Sequence, residues 1–323
     1  MQNIQHLWIK KAVYMLFLSL LLKSTICAQG DGPRSGLLAP TGVFGVATKY
    51  VNLSTNLSPA TVLVKQADFN IQLFPISAFY TFKIKNQFAQ VLGVITPANA
   101  KLALSGTAPG IPDQLNVNGI ADGFIGFKLG MIGAPGLGLN EFAARAPTFS
   151  MFSYVRFWYS GRYASEEVLN LGSNRFTIQY SLPMAIPLSQ NRARMTWLEF
   201  TPGIRFFTSN NDPQQLLQKN EAEQRPLFQF ETHLSHNFSK KFWIAANLHY
   251  QLGGTTVLDG EKQDNQINML GGSLSAGYKI LPFLSASADY GRRIFGDNGV
   301  NSRMIRAGLV FTYAKIEPKE FDK

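Results

Sequence analysis

Leu227–Phe238 reads LFQFETHLSHNF, and its alternation decides the fold. Phe228, Phe230, Thr232, Leu234, His236 and Phe238 fall on one face. Gln229, Glu231, His233, Ser235 and Asn237 fall on the other. A period of two is the signature of a strand with two unlike faces. Phe242–Leu252 repeats the pattern, with Ile244, Ala246, Leu248, Tyr250 and Leu252 set against Asn247, His249 and Gln251. Leu284–Arg293 and Met304–Tyr313 repeat it again: Leu284, Ala286, Ala288 and Tyr290 share a face, as do Ile305, Ala307, Leu309, Phe311 and Tyr313. Runs of about ten residues with this period suit a strand tilted across a bilayer.

Working outward, the connections Ser239-Lys240 and Leu281-Pro282 are short, whereas Thr208–Arg225, Gly253–Asn265 and Ile294–Ser302 are long and polar. Short turns at one end and long loops at the other mark an outer-membrane barrel. Reading back to the start gives about twelve strands, over 42–56, 68–84, 87–96, 122–132, 148–160, 174–186, 194–208, 226–238, 241–252, 266–280, 283–294 and 303–313. Pro75 predicts a bulge or break in the second of them. Pro97–Gly119 and Gly133–Pro147 are rich in Gly, Pro and Ala and read as loops. The fold class expected is all-β: a transmembrane antiparallel up-and-down β-barrel over 29–313, with an even strand number and both termini periplasmic. A polar tail, 314–323, follows it.

Composition agrees. The chain is 12% aromatic, with 25 Phe, and 15% charged, against about 25% charged in soluble domains. No stretch after residue 28 approaches the roughly 18 uninterrupted apolar residues of a membrane helix. A barrel's lipid face takes every second residue, so its hydropathy stays modest. Residues 1–28 read as a signal peptide. Lys10 and Lys11 precede the apolar run Ala12–Leu22, which is too short to span a bilayer, and the expected cut follows Ala28. The single cysteine, Cys27, leaves with that leader, and with it any disulfide or Cys-based metal site. The net charge of +10 falls to +7 on loss of Lys10, Lys11 and Lys23.

Asn118–Leu137 reads NGIADGFIGFKLGMIGAPGL and Leu169–Phe176 reads LNLGSNRF. Trp197–Asn211 reads WLEFTPGIRFFTSNN and Leu248–Gly254 reads LHYQLGG. In this order and spacing they resemble the outer-membrane transporter family associated with the meta-pathway of phenol degradation. The NLGSNR and GAPGL blocks are the most specific parts of the resemblance, which covers residues 40–313. It implies a barrel and transport by analogy, without a substrate. Trp158–Tyr163 departs from the family by lacking a Pro and an Asp, and ten residues follow Tyr313, so an aromatic assembly signal would be internal.

Alternation turns nine ionisable groups toward the lumen: the basic Arg156, Arg205, Arg293 and Arg306, the acidic Glu199, Glu231 and Asp289, and the histidines His233 and His249. They read either as a selectivity constriction or as a salt-bridge network that fills the barrel. Their mixed signs define neither an anion nor a cation pore. Catalytic signals are thin. His233 and His236 point to opposite faces of one strand, which is wrong for chelating one metal, and Ser235 and His236 likewise diverge. No G-x-S-x-G elbow occurs, and Gly133–Gly138 lacks the Lys of a phosphate loop. The chain is read as a non-enzyme with no cofactor. Its expected partners are outer-membrane lipids, the barrel-assembly machinery during insertion and a small solute, with no nucleic acid. A channel or transporter for small, apolar or aromatic molecules stands first. A structural or adhesive barrel with a filled lumen and a lipid-modifying enzyme are the alternatives.

Overall fold

The computed structural model describes residues 30–57, 66–105, 113–164, 169–189, 191, 194–213, 219–296 and 301–314. The expected leader, 1–28, and residues 315–323 of the tail lie outside them.

In chain order the elements are β1 (Val43–Leu57), β2 (Gln66–Leu73), β3 (Ile76–Ile84), β4 (Gln87–Ser105), β5 (Gln114–Ile132), α1 (Leu139–Ala144), β6 (Ser150–Tyr159), β7 (Thr177–Ser181), β8 (Met184–Pro187) and β9 (Thr196–Phe207). Then come β10 (Ala222–Gln224), β11 (Leu227–Asn237), β12 (Phe242–Gly253), β13 (Thr256–Leu258), β14 (Glu261–Lys262), β15 (Ile267–Leu281), β16 (Leu284–Gly296) and β17 (Asn301–Ala314). Each long strand pairs antiparallel with the next. β1 closes the sheet on β17, from Val43 opposite Ala314 to Asn56 opposite Asn301. β2 with β3, and β7 with β8, each count as one interrupted strand, so the closed barrel has twelve.

Both interruptions are at proline, which has no N–H to give the ladder. At Phe74-Pro75 the gap is bridged: Phe74 N donates to Pro97 O at 2.8 Å, and Lys49 N donates to Pro75 O at 3.0 Å. At Leu182-Pro183, Leu182 N donates to Pro202 O and Phe152 N to Pro183 O, both at 2.9 Å. The wall therefore bends without opening.

Two sequence expectations are corrected. Pro97–Gly119 is not all loop: β4 runs on to Ser105, and β5 begins at Gln114, each strand being 19 residues long. Small residues (Ala98, Ala100, Ala103) hid a strand that rises well beyond the bilayer. Gly133–Pro147 is not wholly irregular either, since it holds the single helical turn α1. The long loop after β12 folds into β13 and β14, which join β10 in a small three-stranded sheet above the barrel.

The outward row is apolar and bare: Phe228 and Leu248 are each 47% exposed, and Leu274 is 69%. Aromatic contacts gather near both rims, with Phe238–Phe242 and Phe283–Phe311 at the short-turn end and Phe157–Phe176 and Tyr250–Phe295 toward the loops. An apolar band between aromatic girdles is the surface a bilayer demands. The alternate residues face inward. Many are polar and bond one another across the lumen, as Arg306 does with Asp289 and His233 with Asn247, where a soluble protein would have an apolar core.

Candidate functional site

Residues 30–42, which precede β1, do not stay outside. They enter the barrel from the short-turn end and climb to mid-lumen as a plug. The GAPGL block makes its seat. Gly133 has φ +61 and no space for a side chain, because an added Cβ would lie 2.0 Å from Phe149 O. This turn sends Ala134 inward against Phe88 and Phe152, and Leu38 and Ala39 of the plug pack on that cluster. Phe88 N donates to Ala134 O at 3.0 Å, and Thr41 N donates to Leu137 O at 2.7 Å.

Above the seat lies a polar belt that grips the plug's backbone. Glu199 accepts from Arg34 N at 2.7 Å and from Gly36 N at 3.0 Å. Glu231 accepts from Asp31 N at 2.8 Å. Lys128 Nζ donates to Ser35 O at 2.7 Å, and Arg306 Nη1 donates to Gly30 O at 3.1 Å. The Asp31 carboxylate pairs with Arg156. Arg34 bonds Asn237 and lies 4.6 Å over the Trp243 ring. Opposite charges meet here away from bulk water, where one partner alone would be costly.

The nine candidates are placed as follows. Arg156, Glu199, Glu231, His233, His249, Asp289 and Arg306 are buried in the lumen, and Arg205 and Arg293 are half-buried higher up. Arg306 is tied to Asp289 by bonds of 2.8 and 3.0 Å, and Ser275 donates to the same carboxylate. His233 Nδ1 bonds Asn247 at 2.9 Å. Arg156 lies 4.2 Å over Tyr154, and Arg205 lies 5.1 Å over Trp158. Neither ring nitrogen of His249 has a hydrogen-bond partner among the described residues. It borders a small cleft of about 20 Å³, room for a water molecule, together with Gly30, Glu231, Asn247 and Arg306. His233 and His249 sit one strand apart with Glu231, yet no cluster fit for a metal ion is found among the described residues.

Sequence reasoning missed the plug and Lys128. The plug has no periodicity to betray it. Lys128 belongs to an inward row with Gly126 and Gly130, and a bulge in β5 between Ala121 and Phe124 shifts that row by one residue. Counting alternation from the Gly-x-Lys-x-Gly pattern would have found it.

Toward the loop end the lumen changes character. On β1, β2 and β4 the inward row is mainly apolar: Val51, Leu53, Ile71, Ala100, Leu102 and Leu104 are all buried, with Thr55 and Thr96 as the polar members of the row. Met304 and Met269 continue it on β17 and β15. The far wall, on β7, β9, β11 and β12, offers Gln179, Arg205, Gln229 and Gln251. An apolar quarter thus stands above the plug and faces a row of amides.

Family and structural comparisons fit this architecture. The family model described as "Putative MetA-pathway of phenol degradation" matches residues 59–304. The structure of the COG4313 outer membrane channel from Pseudomonas putida F1 is similar at a TM-score of 0.70 and 13% identity, covering 88% of this chain and all (100%) of that one. The beta domain of the Bordetella autotransporter BrkA is similar at a TM-score of 0.51 and 9% identity, with 84% and 100% covered. At such identities the likeness is one of fold. No curated protein matches the chain. The family match begins between β1 and β2 and ends in β17, well over half of the sequence, and the chain therefore belongs to the family described as "Putative MetA-pathway of phenol degradation".

Proposed function

We propose that this protein is a bacterial outer-membrane channel for small apolar or aromatic molecules. The observation that carries the reading is the apolar inward row of Val51, Leu53, Ile71, Ala100, Leu102 and Leu104. Barrel interiors are ordinarily polar. An apolar row there, under the long loops, gives an apolar solute a surface to leave water for, at about 25 cal/mol per Å². The family's link to phenol degradation and the neighbouring structure's description as an outer membrane channel support the same direction. The belt below holds charges of both signs, so it supports exclusion of free ions and not selection for one sign.

The plug favours a second reading, a structural barrel with a filled lumen. Influx of N-phenyl-1-naphthylamine into cells with an intact lipopolysaccharide leaflet separates the two. Cells carrying the barrel should take up this probe faster than cells without it, and nitrocefin, a polar probe, should enter at the same rate in both. Equal naphthylamine rates would leave only the filled barrel. Among the described residues the hydroxyl–imidazole pair is Thr196 Oγ1 with His236 Nδ1, 2.8 Å apart, and no carboxylate bonds that imidazole to complete a triad, so lipid hydrolysis gains little support.

A further inference from the structure

Two buried amide oxygens on the lumen wall have no donor. Gln229 and Gln251 stand directly opposite one another across β11 and β12, and they are only 3% and 4% exposed. Neither Oε1 accepts a hydrogen bond among the described residues. A buried acceptor in this state is rare, because it has left water without gaining a partner. Gln179, farther round the same wall, shows the contrast. Its Oε1 accepts from Trp158 Nε1 and from Arg205 Nε, both at 3.2 Å.

The neighbours of the pair define what the missing donor belongs to. Alternation puts Gln229 and Gln251 on the inward face with Glu231 and His249, which lie two residues nearer the short turn and are themselves directly opposite. There Glu231 is engaged by the plug's Asp31 N–H, whereas neither ring nitrogen of His249 has a partner among the described residues. Toward the loops the same face turns apolar. Leu227 lies two residues before Gln229, and Met269 stands directly opposite Gln251 on β15. These two pack with Ile267 in a buried cluster, against which Phe207 lies half-buried. An apolar surface thus ends at two bare acceptors, with an unpartnered imidazole beside them.

We propose that Gln229 and Gln251 form a recognition site for the hydroxyl group of an otherwise apolar solute, whose body rests on Leu227, Ile267 and Met269. The proposal rests on the channel reading and names the part of the solute that the lumen recognises. A hydroxyl both donates and accepts. It can give its proton to an amide oxygen and take one from His249, since an imidazole carries an N–H in either tautomer. A hydrocarbon or an ether leaves the oxygens bare. A carboxylate sets its lone pairs against theirs. An ammonium meets the charge of Arg205, which stands opposite Leu227 on β9.

The test is equilibrium dialysis of 1-naphthol and of 1-methoxynaphthalene against the folded barrel in lipid nanodiscs, with binding to empty nanodiscs subtracted. The probes share a ring system, and only the first carries a donor. 1-Naphthol should bind saturably and roughly tenfold more tightly than the ether, the scale of one hydrogen bond to a desolvated acceptor. With Gln229→Leu and Gln251→Leu together, naphthol binding should fall to the level of the ether. Leucine keeps much of the volume and removes groups that have no partner, and heat-modifiable gel mobility checks that the barrel is folded. If the double variant is not, each single substitution should narrow the gap between the probes. Equal binding of both probes to the unaltered barrel, or no saturable naphthol binding, overturns the proposal. So does a gap that survives in a folded double variant. Dialysis needs no flux. The channel reading fails on equal naphthylamine influx and the recognition site on equal naphthalene binding, so the two failures are told apart.

Discussion

Glu199 shows how one side chain sets the state of the lumen. Its two oxygens hold the N–H groups of Arg34 and Gly36, two residues of the plug that would otherwise present unsatisfied donors inside the barrel. Hydrogen bonds to a charged acceptor are worth about 1.5–3 kcal/mol each. Glu199→Gln keeps one acceptor oxygen and loses the charge. Hydrogen exchange at the Arg34 and Gly36 amides should then quicken roughly tenfold, while amides of β11 and β12 keep their protection. Unchanged exchange at both plug amides would mean that the seat near Phe88 holds the plug without the belt. The residue scale was the most legible in the sequence for charges on regular strands. Alternation alone nominated Glu199, Glu231 and Arg306, because nothing interrupts the count on their strands. It missed Lys128 because a bulge resets the count on β5, and a bulge is a backbone event that side-chain pattern does not announce.

At the scale of elements, the plug and the interrupted strand β7–β8 meet. A Cβ built on Gly36 lies 3.6 Å from Pro183 Cβ, close to the mean of about 3.8 Å in disulfides. Gly36→Cys with Pro183→Cys, in a Cys27→Ser background, should therefore cross-link plug to wall. Oxidised barrels in planar bilayers should show fewer and smaller conducting events than the reduced form, and reductant should restore them. Identical records in both states would mean that the plug is not the barrier to ions. Strands were legible where an apolar lipid face alternates with a polar lumen, in β11, β12, β15, β16 and β17, whereas the short β13 and β14 lie in a stretch that reads as a polar loop. Strands were not legible where the lumen face is apolar as well. In β4, Ala98, Ala100, Leu102 and Leu104 point inward, so the contrast that marks a strand disappears and Pro97 and the alanines read as loop. The feature that hid the strand is the one that supports the channel reading. The plug was illegible for another reason: it has no regular structure and takes its conformation from wall residues more than 100 positions away, as in the Arg34–Glu199 and Asp31–Glu231 bonds.

At the scale of the whole molecule, the barrel has three levels: a seated plug, a charged belt and an apolar quarter. The bilayer holds it from outside. Leu248 is 47% exposed on the lipid face, so Leu248→Arg should cost about 2–4 kcal/mol of stability if it lies near the midplane. Urea unfolding from lipid vesicles reads this cost, and Leu248→Phe should leave stability nearly unchanged. A loss no larger for Arg than for Phe would put that row away from lipid. The central claim is that the apolar inward row is the surface on which the solute travels. It is tested by the initial influx rate of N-phenyl-1-naphthylamine in cells with equal amounts of folded barrel, either unaltered or carrying Leu53→Asn with Leu102→Asn. Removing the apolar side chains should slow influx roughly fivefold or more, given about 1.5–3 kcal/mol for each such group taken out of water. Influx at the unaltered rate would contradict the claim.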